Sequence, residues 1–270
     1  MIIAQITDLH LRTDGEKLKG MIDSVAALQT CLDHLGALRP RPDVILATGD
    51  LANRARVQDY ATLRRMLESV GIPFYVIPGN HDERGLMRET FSDRDDFPKT
   101  GEFLHYAIED HPLRLIGLDT KSGDRVGGEM CEIRLDWLRA RLEERPHTPT
   151  LIFMHHPPFK TGIGFMDKDE FIGADAMEAL IANHSQVEGI ICGHLHRQIT
   201  RRWAGTIIST APSVAFQMVL DLAEAAPSGF VLEPPACPIF LWRPEMGLVG
   251  HMSLIGDFGP RHPFVSDSAK

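Results

Sequence analysis

An α/β fold, with parallel strands joined by crossover helices, is what this sequence predicts, and three observations carry the prediction. Short apolar runs alternate with stretches of helical periodicity in the order β-α-β-α-β at the start of the chain, the pattern of a parallel sheet. Five of the runs, residues 2–6, 44–48, 74–78, 151–154 and 190–192, are apolar almost throughout, as strands covered on both faces are. Each of the five opens directly into Asp, Asn or His: Asp8-Leu9-His10, Gly49-Asp50, Gly79-Asn80-His81-Asp82, His155-His156 and Gly193-His194-Leu195-His196. Ligands bind past the carboxyl ends of strands in such sheets.

The elements follow in order. After the first strand, residues 12–24 are polar and contain glycine, and read as a loop placed to cover the site. Val25, Leu28, Leu32 and Leu35 recur at helical spacing with Ser24 as the expected N-cap, and Pro40 and Pro42 stop the helix. Tyr60, Leu63, Leu67 and Val70 mark a second helix, closed by Gly71 and followed by Pro73. Residues 84–91 read as a short helix and residues 92–101 as a charged loop. Residues 103–108 and 113–118 are expected to pair as a hairpin around Glu109-Asp110-His111-Pro112. Leu135, Leu138 and Leu142 lie on a further helix ending near Pro146. A glycine-bearing loop, 160–173, and a helix near 175–182 precede the last ligand-bearing strand. Beyond Arg197 the pattern is all β, over 199–203, 206–209, 239–242 and 248–255, with a loosely held tail expected from Gly259 to Lys270.

Bulk properties bound the function. At 270 residues, 43% hydrophobic and 24% charged, the chain suits one large globular domain. A formal net charge of -9 argues against duplex nucleic acid as a partner, because such binding depends on Lys and Arg neutralising phosphates. Cys31, Cys131, Cys192 and Cys237 are widely spaced and read as reduced thiols. The chain enters a strand at once, with no basic leader. No apolar run nears the ~20 residues that span a bilayer. A cytoplasmic protein without a membrane partner is expected.

Asp8, His10, Asp50, Asn80, His155, His194 and His196 form the candidate metal-ligand set. Residues two apart on an extended segment point to one side, so Asp8 with His10, and His194 with His196, can aim together. Imidazole nitrogen, carboxylate and amide oxygen suit ions such as Mn, Fe, Co or Zn. With no cysteine in the set, a structural zinc-thiolate site is disfavoured. Singly, each motif is weak: His-x-His is common on ordinary strands, and Asn80-His81-Asp82 also reads as a turn. Their coincidence at five strand ends favours a metal site. Seven ligands are too many for one tetrahedral ion and suit two ions sharing one carboxylate. Two divalent ions against Asp8 and Asp50 leave about two excess positive charges. That surplus attracts a phosphate and acidifies a bridging water to hydroxide near neutral pH. In-line hydrolysis of a phosphate ester by that metal-activated hydroxide is the expected reaction. Of the neighbours His155 and His156, only one is expected to face the metals.

Together, Asp8-x-His10, Gly49-Asp50, Gly79-Asn80-His81-Asp82, His155-His156-Pro157 and Gly193-His194-x-His196 resemble the calcineurin-like metallophosphoesterase superfamily, with every motif present and in order from residue 8 to 196. The resemblance implies a four-layer αββα sandwich of two mixed sheets around a dinuclear centre of divalent or trivalent ions. It implies a catalytic core over 1–212 and a β-rich C-terminal extension over 213–270 that completes the sandwich and serves homo-oligomer assembly. By motif, Asp8, His10 and His196 would hold one ion and Asn80, His155 and His194 the other, with Asp50 bridging. His81 would protonate the leaving alkoxide or serve as a charge-stabilising donor, with Asp82 orienting it. Ser/Thr protein phosphatases carry Gly-Asp-x-x-Asp-Arg-Gly and Gly-Asn-His-Glu, whereas Asn53, Ala55 and Asp82 depart from those patterns here. The compact length, the segment Gly15-Glu16-Lys17-Leu18-Lys19-Gly20 and Ile72-Pro73 are more similar to the bacterial class III cyclic-nucleotide phosphodiesterases and related glycerophosphodiesterases. A small phosphodiester is the implied substrate, with phosphomonoesters the alternative and a non-catalytic scaffold a distant third. Residues 12–24, 92–101 and 160–173 are the expected substrate-selecting loops.

Overall fold

The computed structural model describes residues 1–260 and 262–264. The chain begins with β1 (Ile2–Ile6), α1 (Ser24–Ala37), β2 (Val44–Thr48), α2 (Val57–Ser69), β3 (Phe74–Ile77) and α3 (Arg84–Thr90). β4 (Tyr106–Ile108), β5 (Arg114–Leu118), α4 (Glu132–Glu144), β6 (Thr150–Met154), α5 (Ala174–Ile181) and β7 (Val187–Cys192) follow. The last third is β8 (Thr200–Trp203), β9 (Thr206–Thr210), β10 (Gln217–Met218), β11 (Phe230–Val231), β12 (Ala236–Arg243) and β13 (Gly247–Leu254). The expected tail lies partly outside the described residues, at 261 and 265–270.

Two mixed sheets result. One runs β13-β12-β1-β2-β3 and the other β4-β5-β6-β7-β9-β8, with β10 and β11 as a separate ribbon. β1, β2 and β3 are parallel, as are β5, β6, β7 and β9. The five ligand-bearing strands are thus divided, β1 to β3 in the first sheet and β6 and β7 in the second. β12 pairs antiparallel with β1, so residues from the far end of the chain lie beside its start.

Side chains between the sheets set their spacing. Gln5 Nε2 donates to Thr48 Oγ1 at 2.9 Å and to the Cys192 carbonyl at 2.8 Å, tying both sheets together directly below the ligand-bearing edge. Tyr106, from β4, exchanges two hydrogen bonds with the Val76 backbone of β3. Gly117 sits where a Cβ would stand 2.8 Å from the Phe153 ring, so the absence of a side chain permits that approach.

One local difference from expectation has a simple cause. The N-cap of α1 is Asp23, whose carboxylate accepts from Ala26 N–H at 2.9 Å. Ser24 is drawn instead to the preceding loop, accepting from Arg12 N–H at 3.0 Å. The β8–β9 hairpin turns through Ala204 and Gly205, with φ of 52° and 83°. That conformation belongs to a two-residue turn preferring Asn-Gly. Ala204→Asn is expected to raise stability by about 0.5–1 kcal/mol, read as a higher urea midpoint at unchanged slope. Among the described residues no helix is long and apolar enough to cross a membrane.

Candidate metal centre

The turns that carry the candidate ligands are conformationally unusual. Asp8, His10, Asp50, His194 and His196 have φ of 52°, 42°, 49°, 71° and 48°. Non-glycine residues avoid this left-handed region because Cβ crowds the following carbonyl. Tertiary bonds hold them there: Asp8 N–H donates to Gly49 O at 3.1 Å and His10 N–H to Asp50 O at 2.9 Å. His194 N–H donates to the Asp8 carboxylate at 3.0 Å. The chain crossings are too close for side chains at two glycines. A Cβ on Gly193 would lie 2.1 Å from Thr7 Oγ1, and one on Gly79 would lie 2.2 Å from Asp50 Oδ1.

All seven predicted ligands converge. Donor atoms of Asp8, His10 and His196 lie within 4.8 Å of one another, as do those of Asp8, Asp50 and His155. His10 Nε2 is 3.2 Å from His196 Nε2 and 3.6 Å from Asp50 Oδ2. His155 Nε2 is 3.3 Å from Asn80 Oδ1, 3.5 Å from Asp50 Oδ1 and 4.0 Å from Asp8 Oδ1. Adjacent donors on an ion with bonds of about 2.1 Å stand roughly 3 Å apart, so these spacings fit cations between them. Proton placement fits as well. His155 Nδ1 faces the Thr48 carbonyl at 2.7 Å, and His196 Nδ1 the Phe216 carbonyl at 2.9 Å. A carbonyl only accepts, so each Nδ1 carries its hydrogen, and each Nε2 is the nitrogen that turns a lone pair inward once the ring is neutral.

The electrostatics show a pocket that calls for positive charge. Burial works against ionising Asp8 and Asp50, yet the His196 and His155 rings outweigh it and hold both carboxyls below their usual range. Burial likewise opposes a charged His155, but Asp50 and then Asp8 push it up to about 9. Burial dominates elsewhere, drawing His10 down to about 3 and His194 to about 4. In the metal-free protein the proton on His155 supplies charge that a bound cation provides instead.

His81 lies exposed at the rim, its ring 4.7 Å from that of His10. Its orientation differs from expectation. Asp82 does not hold it; the His81 Nδ1–H donates to the Asn53 carbonyl at 3.0 Å. The fully enclosed Asp82 carboxylate accepts from Leu51 N–H, Ala52 N–H, Gly79 N–H and the Tyr60 hydroxyl at 2.9–3.1 Å. It braces two ligand loops rather than a ring. Burial and the neighbouring Asp50 push Asp82 up to about 6 against the pull of its backbone donors. His155 and His156 also depart from alternation, because β6 ends at Met154 and both imidazoles come within 4.8 Å of His194. His156 Nδ1 nevertheless pairs with Thr120 Oγ1 at 2.8 Å.

A cavity of about 440 Å³ opens over His10, Asp50, Asn80, His81, His194 and His196. Two expected loops help line it, through Leu18 and Lys19 and through Phe165, Met166 and Asp169. The loop 92–101 does not; its Phe97 is buried against Phe91 and Tyr106. Phe216, Met218 and Phe230 take its place, from a stretch that carries no motif and gave no sequence signal. A neighbouring cavity of about 460 Å³ shares Met166, Asp169 and His194 with the first. Asp119-Thr120-Lys121 was also missed, although an acid directly after the apolar β5 repeats the pattern of the other five strands. Asp119 accepts from Arg84 Nε at 2.6 Å and from Leu104 N–H at 2.9 Å.

Comparison with known proteins accords with this geometry. The family described as "Calcineurin-like phosphoesterase" matches residues 1–198. A probable glycerophosphodiester phosphodiesterase GpdQ from Arcobacter nitrofigilis is 36% identical over 271 aligned residues, covering 100% of this chain and 99% of the relative. The 3',5'-cyclic adenosine monophosphate phosphodiesterase CpdA of Escherichia coli is 28% identical over 215 residues, 80% of this chain and 76% of that one. Among solved structures, a dimetal phosphatase from Danio rerio superposes with a TM-score of 0.60 at 16% identity, covering 95% of this chain and 99% of the other. That last likeness concerns the fold alone.

Proposed function

Because this chain belongs to the calcineurin-like phosphoesterase family, we propose that it is a metal-dependent hydrolase of small phosphodiesters, glycerophosphodiesters foremost. The observation that carries the reading is the inward convergence of His155 and His196 Nε2 on the Asp8 and Asp50 carboxylates, with each Nδ1 fixed by a carbonyl. Asp8, His10 and His196 would hold one ion, and Asn80, His155 and His194 the second, with Asp50 between them. Ions bound there supply Lewis acidity, acidifying water and offsetting charge on phosphoryl oxygens. The donor set suits Mn, Fe, Co or Zn.

The chain's own residues orient and protonate. Since the Asn53 carbonyl takes Nδ1–H of His81, Nε2 is the ring atom left to face a leaving oxygen as proton donor. Leu18, Phe165, Met166 and Phe216 wall the cavity and limit competing water around the ester. Similarity to GpdQ over the full chain favours the glycerophosphodiester. A 3',5'-cyclic nucleotide is the second reading, supported by the aromatic lining from Phe165, Phe216 and Phe230, which offers a base a stacking face. A cytoplasmic setting and self-association through residues 213–270 go with the same reading.

The test compares glycerophosphoethanolamine, 3',5'-cyclic AMP, bis(p-nitrophenyl) phosphate and p-nitrophenyl phosphate with Mn-reconstituted protein. Diesters should be turned over in preference to the monoester, and His81→Ala should lower kcat on the better diester about 10²- to 10⁴-fold. Monoester preference would overturn the diesterase reading; no turnover with metal bound would leave a scaffold.

A further inference from the structure

The peptide joining Asn80 to His81 is gripped at both edges. Its carbonyl accepts from the Lys121 ammonium at 2.8 Å, and its N–H donates to Asp50 Oδ1 at 2.9 Å. One end of that peptide bears the proposed second-ion ligand, and the other bears the proposed proton donor. Gly79 precedes it and lacks a Cβ, so the chain there has little intrinsic stiffness. An external hold is needed to fix the plane.

Lys121 reaches this peptide from the opposite sheet, just past β5, and its own backbone is anchored. Its carbonyl accepts from Arg84 Nη2 at 2.6 Å and from Arg134 Nη1 at 2.9 Å. Its N–H donates to Asp119 Oδ1 at 3.0 Å, and Asp119 pairs with Arg84. Among the described residues the ammonium makes no ion pair, so the Asn80 carbonyl is the group its charge serves. Arg84 starts α3, directly after the ligand turn. The turn is therefore fastened to the second sheet twice, once through its peptide and once through the helix that follows.

We propose that Lys121 is a positioning residue, which fixes the Asn80–His81 peptide so that Asn80 Oδ1 stays beside His155 Nε2 and His81 stays over His10. The proposal rests on the two-ion reading above. Asn80 offers a neutral amide oxygen, the weakest donor of the set, so the second ion depends most on how well that oxygen is placed. The first ion has no ligand on this peptide, and of Asp50 it is Oδ1, the oxygen on the His155 side, that the peptide N–H holds, while Oδ2 lies toward His10.

Metal-free Lys121→Met protein titrated with Mn(II), by calorimetry and by electron paramagnetic resonance, tests this. Second-ion affinity should fall about tenfold or more while the first ion binds as in wild type. At saturating Mn(II), kcat on glycerophosphoethanolamine, whose alkoxide leaving group needs a proton, should also fall about tenfold with KM little changed, because His81 is displaced. Ethylammonium should restore part of both losses in Lys121→Ala. Unchanged first-ion binding reports an intact fold, and Lys121→Gln, which keeps a neutral donor, serves if methionine disturbs folding. Wild-type ion affinities in these variants, or equal weakening of both ions, would overturn the proposal alone. Wild-type protein that binds no second ion would overturn the two-ion reading as well.

Discussion

Asp50→Asn should reduce diester turnover by about 10³-fold or more and leave purified protein with less than its full complement of ions. Asp50 faces both ligand groups, with Oδ2 3.6 Å from His10 Nε2 and Oδ1 3.5 Å from His155 Nε2. An amide keeps the shape but removes a unit of negative charge and turns a donor toward a cation. Backbone strain does not confuse the result, since Asp50 has φ of 49° and Asn tolerates that region as well as Asp. Metal content by mass spectrometry, set beside kcat at saturating Mn(II), separates lost ions from impaired chemistry. A variant that keeps both ions and wild-type turnover would remove Asp50 from the centre.

Asp82→Ala should be the most destabilising single change near the site, costing about 3–5 kcal/mol, the range for breaking a buried charged network. Four buried donors lose their acceptor at once: Leu51, Ala52 and Gly79 N–H and the Tyr60 hydroxyl. Each stranded donor keeps its desolvation penalty. Tyr60→Phe is a graded control. It removes one bond to Asp82 and one from Glu83 N–H, so about 1–3 kcal/mol is expected. Urea unfolding of metal-free protein at pH 7 checks both. Equal stability of the Asp82 variant and wild type would mean that the loops carrying Asp50 and Asn80 are held by something other than this carboxylate.

The strands and helices were legible because the local signals agreed: apolar runs, 3.6-residue spacing and Gly or Pro stops fell in the right places. The convergence of Asp8, His10, Asp50, Asn80, His155, His194 and His196 was legible for the same reason, as short motifs directly after strands. Contacts between distant segments were not. Nothing around Asp82 says that its carboxylate will reach Leu51 and Ala52 rather than His81, because that depends on how β2 and β3 lie side by side. Lys121 was hidden likewise, since its partner lies across the gap between the sheets. Phe216 and Phe230 enter the cavity from a segment whose composition resembles any loop. Ser24 was misread as a cap because its neighbour Asp23 serves the role equally well and the loop claimed the serine.

The left-handed turns at Asp8, His10, Asp50, His194 and His196 bear on how the protein fares in a cell short of metal. Each such residue is disfavoured by about 1–2 kcal/mol, and without ions the repulsion between Asp8 and Asp50 is offset by protonated His155 rather than by a metal. The sheets, sealed by their apolar layers, do not share that burden. A metal-starved chain is therefore expected to sample open forms at these loops before its strands open, which amide exchange with and without metal would show. Proteases recognise such forms, so the supply of ions would govern how long each molecule survives as well as how fast it works.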